Sequence, residues 1–352
     1  MRWTDLTGEK DGGSVVEARI GDYPVCIGLD VHKRYSYVAV VDETGEIVKE
    51  KRIENTKESL QKFASKYKGA KAVIEATSNY RFIYDILEKY MEVKLAHPYK
   101  TRAIAEARIK NDRLDAKMLA HLLRANLIAE SYVPPKEVRE LRDLTRLRKS
   151  LIEDRNRLKN RVHAILSRNG IFDYPNPFTK KGREHLENLD IPEIDRELLN
   201  ANLSIIDRIN EEIKKIDRII QEKAKQDNDA ILLTTIPGIS YYSALLIKSE
   251  IGDVNRFPNK FKLISYAGLC PSIKQSGNKE IKGHITKQGS RKLRWILIQC
   301  ANVAIRHDEY LRSFYLRIKR RRGHNIAIVA TARKMLVCIY YMLKRKEVYN
   351  PK

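Results

Sequence analysis

Between Val25 and about Pro98 the chain alternates strand-like and helix-like stretches in an order that few folds accept. VCIGLDVH and YSYVAVVDE are apolar and β-branched, a turn signal stands at Thr44-Gly45, and EIVKEKRIE follows. A helical stretch from Lys57 to Tyr67, the apolar run AKAVIEAT, a helix from about Tyr80 to Tyr90 and the strand VKLAHP complete the series. Short links join the first three strands, so they pair as antiparallel neighbours; strand-helix-strand links set the later ones parallel. The expectation is a mixed sheet covered on its faces by helices.

An order of this kind, with the first and fourth strands as neighbours, is the ribonuclease H type, and it gives two carboxylates a meaning. Asp30 interrupts the apolar strand IGLDVHK, and Glu75 does the same in VIEATSN. An ionised carboxylate buried without a partner costs several kcal/mol or takes up a proton, so a bound cation is a natural solution. On neighbouring strands, Asp30 and Glu75 would lie side by side. The next helical stretch, NDRLDAKMLAHLLRANL, has apolar positions Leu114, Met118, Leu119 and Leu122, and carries Asp112 and Asp115 three residues apart on one face. Four oxygen donors without Cys or His suit Mg²⁺ or Mn²⁺, and two such ions about 3.5–4 Å apart favour phosphodiester chemistry. Against this, Asp112 alone could simply favour a helix N-terminus. Lys33, beside Asp30, is a candidate phosphate contact, whereas His32 reads as a satisfied structural histidine.

Pro134-Pro135 mark a break, after which charged helix dominates to about Lys225. Leu144, Leu147, Leu151, Leu158, Val162 and Ile165 form one apolar stripe, and Ile206, Ile209, Ile213, Ile216 and Ile220 form another. With the loop-rich NGIFDYPNPFTKKG between them, the simplest arrangement is an antiparallel helical hairpin; narrow stripes amid dense charge also suit an intermolecular coiled coil that would mediate dimerisation. From about Asp229, ILLTTIPGISYYSALLIKSEIGD matches a helix-hairpin-helix, with Gly238 placed to offer backbone N–H groups to a DNA phosphate, or to make an ordinary helix turn. A Gly-rich stretch, SGNKEIKGHITKQGSRK, a helix from about Lys292 to Arg306, the basic run RIKRRRGH and a helix through about Lys344 follow. The domains expected are thus an extension over 1–23, an α/β domain over 24–130, a helical middle over 131–228 and a mainly helical C-terminal domain over 229–352.

What such a chain binds follows from its charge. It has 68 Lys and Arg against 45 Asp and Glu among 352 residues, a net +23, while 43% hydrophobic residues keep it globular. Polyanions are the favoured partners, because each cation that neutralises a phosphate releases a counterion. Arg320, Arg321 and Arg322 in the basic run are candidate nucleic-acid contacts. No window approaches the eighteen or so uninterrupted apolar residues of a spanning helix, and the first residues lack a signal-like apolar segment, so a cytoplasmic protein without a membrane partner is expected. Cys26, Cys270, Cys300 and Cys338 lie far apart and read as buried thiols.

IGLDVHK, VIEATSNY, NDRLDAKMLA, IPGIS, YAGLCPSIKQSGN and GHITKQGSRKLR occur in this order, and together they resemble the DEDD-type transposases of the insertion sequence one-hundred-ten family. The resemblance runs from about Pro24 to Lys344; residues 1–23 do not match. It implies a RuvC-like domain with the catalytic and metal-holding set Asp30, Glu75, Asp112 and Asp115, a coiled-coil middle, and a C-terminal transposase domain with a nucleophilic serine, here Ser276 in QSGN. It further implies recombination of donor and target DNA through a phosphoserine intermediate, guidance by a structured noncoding RNA, and tetramers built from dimers, acting at the nucleoid. From the residues alone, Ser276 could equally be a turn residue in a Gly-rich loop. Lys287, Arg291 and Arg294 stand close in sequence as candidates to hold the scissile phosphate. A junction-resolving nuclease that uses water, and a nucleic-acid binding protein without activity, are the competing readings; the second must explain carboxylates that repel phosphate unless a metal is present.

Overall fold

The computed structural model describes residues 19–20, 23–77, 79–98, 100–101, 111–276 and 279–351. The extension expected over 1–23 falls almost wholly outside them. The chain forms two compact units, residues 1–133 and 134–352.

In the first unit, a two-residue ladder pairs Arg19–Ile20 with Tyr23–Pro24. The sheet then runs through β1 (Cys26–Val31), β2 (Tyr35–Val41), β3 (Ile47–Glu54), β4 (Lys71–Glu75) and β5 (Glu92–Ala96), with helices α1 (Lys57–Lys66) and α2 (Tyr80–Leu87) in the crossovers. The strand order is β3-β2-β1-β4-β5. β1 pairs antiparallel with β2 and parallel with β4, and β4 pairs parallel with β5. Thr56 caps α1 by accepting from the Ser59 N–H. One face of the sheet, with Ile27, Leu29, Val38, Val40 and Ile74, packs on Leu60, Phe63, Ile83 and Leu87 from α1 and α2.

The other face carries α3 (Asp112–Arg124), capped by Asn111. Gly28 makes that approach: a Cβ there would stand 2.1 Å from the Ala116 carbonyl oxygen and 2.5 Å from the Ala120 nitrogen. The helix buries Ala116, Leu119, Ala120, Leu122 and Leu123. Leu114 and Met118, read from the sequence as part of the apolar face, are 43% and 38% exposed. Ala116 and Ala120 face Gly28, where the missing side chain lets the helix backbone come close, while Leu119 and Leu123 pack on Val73 and Ala96. Glu50 in β3 pairs with Arg113 and Lys117 and fixes the helix's rotation.

The second unit is helical: α4 (Lys136–Arg168), α5 (Lys180–Glu187), α6 (Glu193–Lys225), α7 (Asn228–Thr234), α8 (Tyr241–Ile251), α9 (Lys260–Tyr266), α10 (Arg291–His307), α11 (Glu309–Arg322) and α12 (His324–Arg345), with a hairpin of β6 (Pro271–Ser276) and β7 (Lys279–Ile285). α4 and α6 are antiparallel, as their cross-links show: Arg168 bonds Asp195, Arg155 bonds Asn210 and Arg148 bonds Asp217. Leu158, Val162 and Leu166 pack on Leu199, Leu203 and Ile206. Nearer its start, α4 turns a different face inward, so Thr145 is buried and Leu147, expected in the stripe, is 50% exposed. There it meets α8 as well as α6: the Tyr242 hydroxyl donates to the Thr145 carbonyl at 3.4 Å, and Arg148 lies over the Tyr242 ring while bonding Asp217.

α12 has a mean hydropathy of 1.6 over eighteen residues, enough by length and composition to cross a membrane. Arg333 and Lys334 interrupt its apolar run, so no eighteen uninterrupted apolar residues occur in it. Its Ala327, Ile328, Ala332, Met335, Leu336 and Ile339 lie in the core formed with α8 and α10, which accounts for the apolarity.

Candidate metal and nucleic-acid site

The geometry of α3 against β1 places the acidic residues. Gly28 meets Ala116 and Ala120, and two residues further along the strand, about 6.7 Å, comes Asp30. One turn back along the helix, about 6 Å, comes Asp112. The two carboxylates are therefore delivered to one place by matched repeats of strand and helix. The Asp30 side chain is 13% exposed and the Asp112 side chain 42%. His32 stands between them, its Nε2 3.1 Å from Asp30 Oδ2 and 3.0 Å from Asp112 Oδ2. The Tyr35 hydroxyl donates to Asp112 at 3.0 Å. Ligand atoms of Asp30, His32 and Asp112 lie within 4.8 Å of one another.

Burial raises the Asp30 carboxyl above the usual aspartate range; His32 opposes the shift, and Asp112 and Asp115 add to it. Asp115 thus lies within electrostatic reach, on the next turn of the same face. Glu75 ends β4 one residue beyond Ile74, which is paired with Leu29, so it follows the same register that carries Asp30. Neither Glu75 nor Asp115 belongs to the three-residue group. An acidic cluster whose most buried member resists ionisation is a fitting host for a divalent cation, and Asp30, His32 and Asp112 are the residues that would hold it. His32, expected to be structural, stands one residue past β1, and the Asp-x-His spacing carries it to the same side as Asp30.

The remaining candidates are dispersed. Lys33 is exposed in the turn after β1, lining a hollow with Asn55, Asn79, Arg81 and Phe82. Gly238 lies between α7 and α8 at φ +93°, where a Cβ would come 2.8 Å from both the Cys300 oxygen and the Ala304 nitrogen of α10. That packing explains the glycine without a phosphate. Ser276 ends β6, paired with Lys279, while Gly277 and Asn278 of the same motif lie outside the described residues. Lys287 adopts φ +56°. Arg291 opens α10, and Arg294 donates from Nη1 to the Ala267 carbonyl at 3.0 Å. Burial, with Arg291 nearby, pulls the Arg294 guanidinium below its ordinary value. Arg320, Arg321 and Arg322 form the exposed last turn of α11.

A residue missed in the sequence is Glu250, whose side chain is 1% exposed. It accepts from Arg146 at 2.7 and 3.1 Å and from the Ser290 hydroxyl at 2.9 Å, and Ser290 caps α10. An acid in the apolar helix YYSALLIKSEI was the available signal, the same kind that picked out Asp30.

Two family profiles match the chain. One, for transposases of the DEDD type of IS110, covers residues 27–170; the other, described as the transposase IS116/IS110/IS902 family, covers 230–316. Among known proteins, the transposase for insertion sequence element IS1111A of Coxiella burnetii is 26% identical over 92% of this chain and 91% of its own length. A probable family 20 transposase of Pseudomonas aeruginosa is 25% identical over 92% and 98%. The transposase for insertion sequence element IS1328 of Yersinia enterocolitica is 25% identical over 81% and 85%.

Proposed function

Since the chain belongs to the IS110 family of DEDD transposases, we propose that it cuts and rejoins the DNA strands of an insertion sequence, with Asp30, Glu75, Asp112 and Asp115 as the metal-holding carboxylates and Ser276 as the nucleophile. The observation that most supports this reading is the convergence of Asp30 and Asp112 on His32. The strand order β3-β2-β1-β4-β5 in the unit that holds them supports a ribonuclease H type, RuvC-like reading. Bound there, Mg²⁺ or Mn²⁺ would offset charge on the scissile phosphate and favour ionisation of the attacking hydroxyl.

The chain's own residues do the rest. The Ser276 oxygen forms a bond to phosphorus while a DNA ester bond breaks; the serine gives up its proton and the departing DNA oxygen takes one. Retaining the phosphodiester in a protein ester lets strands rejoin without another energy source. Lys287 and Arg291 hold the phosphate during transfer, and Arg294, tied to Ala267, orients the start of α10. Lys33, Gly238 and Arg320 to Arg322 contact phosphates elsewhere on the DNA. A structured noncoding guide RNA that pairs with donor and target DNA selects the sites, and dimers joined through the helical middle assemble into tetramers, as the family resemblance implies. The +23 charge supports binding of both nucleic acids.

The test is denaturing electrophoresis of labelled DNA with Mg²⁺ or Mn²⁺ and guide RNA, using wild type, Asp30→Ala, Glu75→Ala and Ser276→Ala. The expected result is a protease-sensitive protein–DNA adduct with wild type alone. Cleavage by Ser276→Ala without any adduct would replace the recombinase with a hydrolytic nuclease. Full cleavage by Asp30→Ala in a chelator would remove the metal assignment.

A further inference from the structure

Where α4 gives way to the loop that leads to α5, aromatic and amide side chains gather around a groove. The His163 Nδ1 and the Tyr174 hydroxyl are 2.8 Å apart, and the two rings stack at 5.9 Å between centroids. Phe178 meets His163 edge-on at 5.5 Å, and the Lys159 ammonium stands 4.3 Å from the Phe178 centroid. Asn156, Asn160 and His163 follow one another along a single face of α4, and Asn176 and Pro177 close the opposite wall. The groove measures about 640 Å³, in the range of about 300–1,000 Å³ that holds small organic ligands.

The ring cluster has one evident task, to anchor the loop on α4, and Tyr174 and Phe178 do border the apolar core there. That task leaves Asn156 and Asn160 unexplained. Both are exposed, and neither side-chain amide bonds a described residue. Each amide offers a donor and an acceptor together, as the edge of a nucleobase requires. His163, exposed beside the half-buried Tyr174 and Phe178, offers a ring on which a base stacks, and Lys159, which also lines the groove, offers charge for its phosphate. Burial and Arg155 lower the Lys159 ammonium from its ordinary value, so an added anion there would be welcome.

We propose that this groove binds an unpaired nucleotide of a single-stranded segment, its base stacked on the aromatic wall and its edge met by Asn156 and Asn160. The groove shares no residue with the acidic centre, and it rests on the nucleic-acid reading above only in the choice of ligand. Unpaired RNA and unpaired DNA share this chemistry, and the experiment tells them apart.

Full-length protein is titrated with dye-labelled twenty-nucleotide oligo-U, oligo-dT and a duplex of equal length, by fluorescence anisotropy. Phe178→Leu removes the ring that holds His163 and Lys159 in the groove wall, and Asn160→Asp, on an exposed helix position, alters the edge without touching the core. Each variant is expected to weaken binding of at least one single strand about tenfold while duplex binding changes less than twofold. A larger loss on oligo-U assigns the groove to RNA, and a larger loss on oligo-dT to DNA. Photocrosslinking with bromouracil-bearing strands should label a peptide containing Tyr174 or Phe178. Unchanged single-strand binding by Asn160→Asp and Phe178→Leu overturns the proposal, as do equal losses on single strand and duplex, or crosslinks that map only elsewhere. Strand cleavage is scored separately on the same preparations: if wild type binds single strands through the groove but never cleaves DNA, the transposase chemistry fails and the groove stands.

Discussion

Gly28 and His32 decide the acidic centre as much as the carboxylates do. A side chain at Gly28 meets helix backbone rather than a flexible tip, so the helix must move away from β1. Gly28→Ala is expected to cost at least the ~1–3 kcal/mol typical of overpacking, and to weaken cation binding, because Asp112 and Asp115 travel with the helix. Thermal melts and Mn²⁺ titration on the same sample check both. His32 adds an imidazole to an oxygen set, a nitrogen donor that suits a transition metal better than Mg²⁺. Wild type should therefore bind Mn²⁺ more tightly than Mg²⁺, and His32→Ala should lose most of that preference; equal preference in both proteins would make His32 a hydrogen-bonding residue only. Asp30 was legible in the sequence because an acid inside an apolar strand conflicts with burial unless something compensates it; Glu75, picked out by the same signal, lies outside the three-residue group. His32 was not legible, since a histidine at a strand end has many ordinary uses, and Gly28 was not, since its reason lies on a helix ninety residues away.

At the scale of elements, the α4–α6 hairpin was legible as two stripes of apolar residues, and its closure by charge was not. Asp195, in the first turn of α6, accepts from the Asn169 amide at 2.6 Å and pairs with Arg168 at the end of α4. These bonds hold its carboxyl below the ordinary aspartate value. A lowered folded value means stability that is present above the unfolded pKa, near 3.9, and is lost as the pH falls through the folded one. Asp195→Asn should therefore melt below wild type at pH 7, and the two curves should converge as the pH falls through the folded value. Glu250 holds α4, α8 and the start of α10 together from the inside. Glu250→Ala leaves Arg146 without its carboxylate, but that guanidinium is 39% exposed and can turn to water, so the cost should fall below the about 3–5 kcal/mol of breaking a fully buried pair. Joint replacement, Arg146→Met with Glu250→Leu, should recover much of that in urea melts. The face change at Thr145 was hidden because a heptad stripe reports that a helix is packed, not which neighbour it meets after each turn.

For the whole molecule, the net charge of +23 makes ionic strength the variable that binding depends on most. Each phosphate neutralised on duplex DNA contributes about 0.9 to the slope of log affinity against log salt. Arg320, Arg321 and Arg322 are exposed together on one helix turn, where cations also complement the helix's negative end. Changing them to Glu would disturb that end as well as the DNA, so Gln is the cleaner substitution. If all three meet phosphates, the triple Gln variant should lower the slope by about 2.7, and its affinity should fall alike for unrelated sequences, because phosphate contacts carry no sequence information. Its melting temperature should stay within a degree or two, as for exposed side chains away from the core. Binding isotherms at several salt concentrations, on two duplexes of different sequence, read both quantities. A slope unchanged from wild type would place the phosphate contacts on other cations. A loss confined to one duplex would make the turn a reader of bases, which a cluster at a helix C-terminus with no partner among the described residues is poorly built to be.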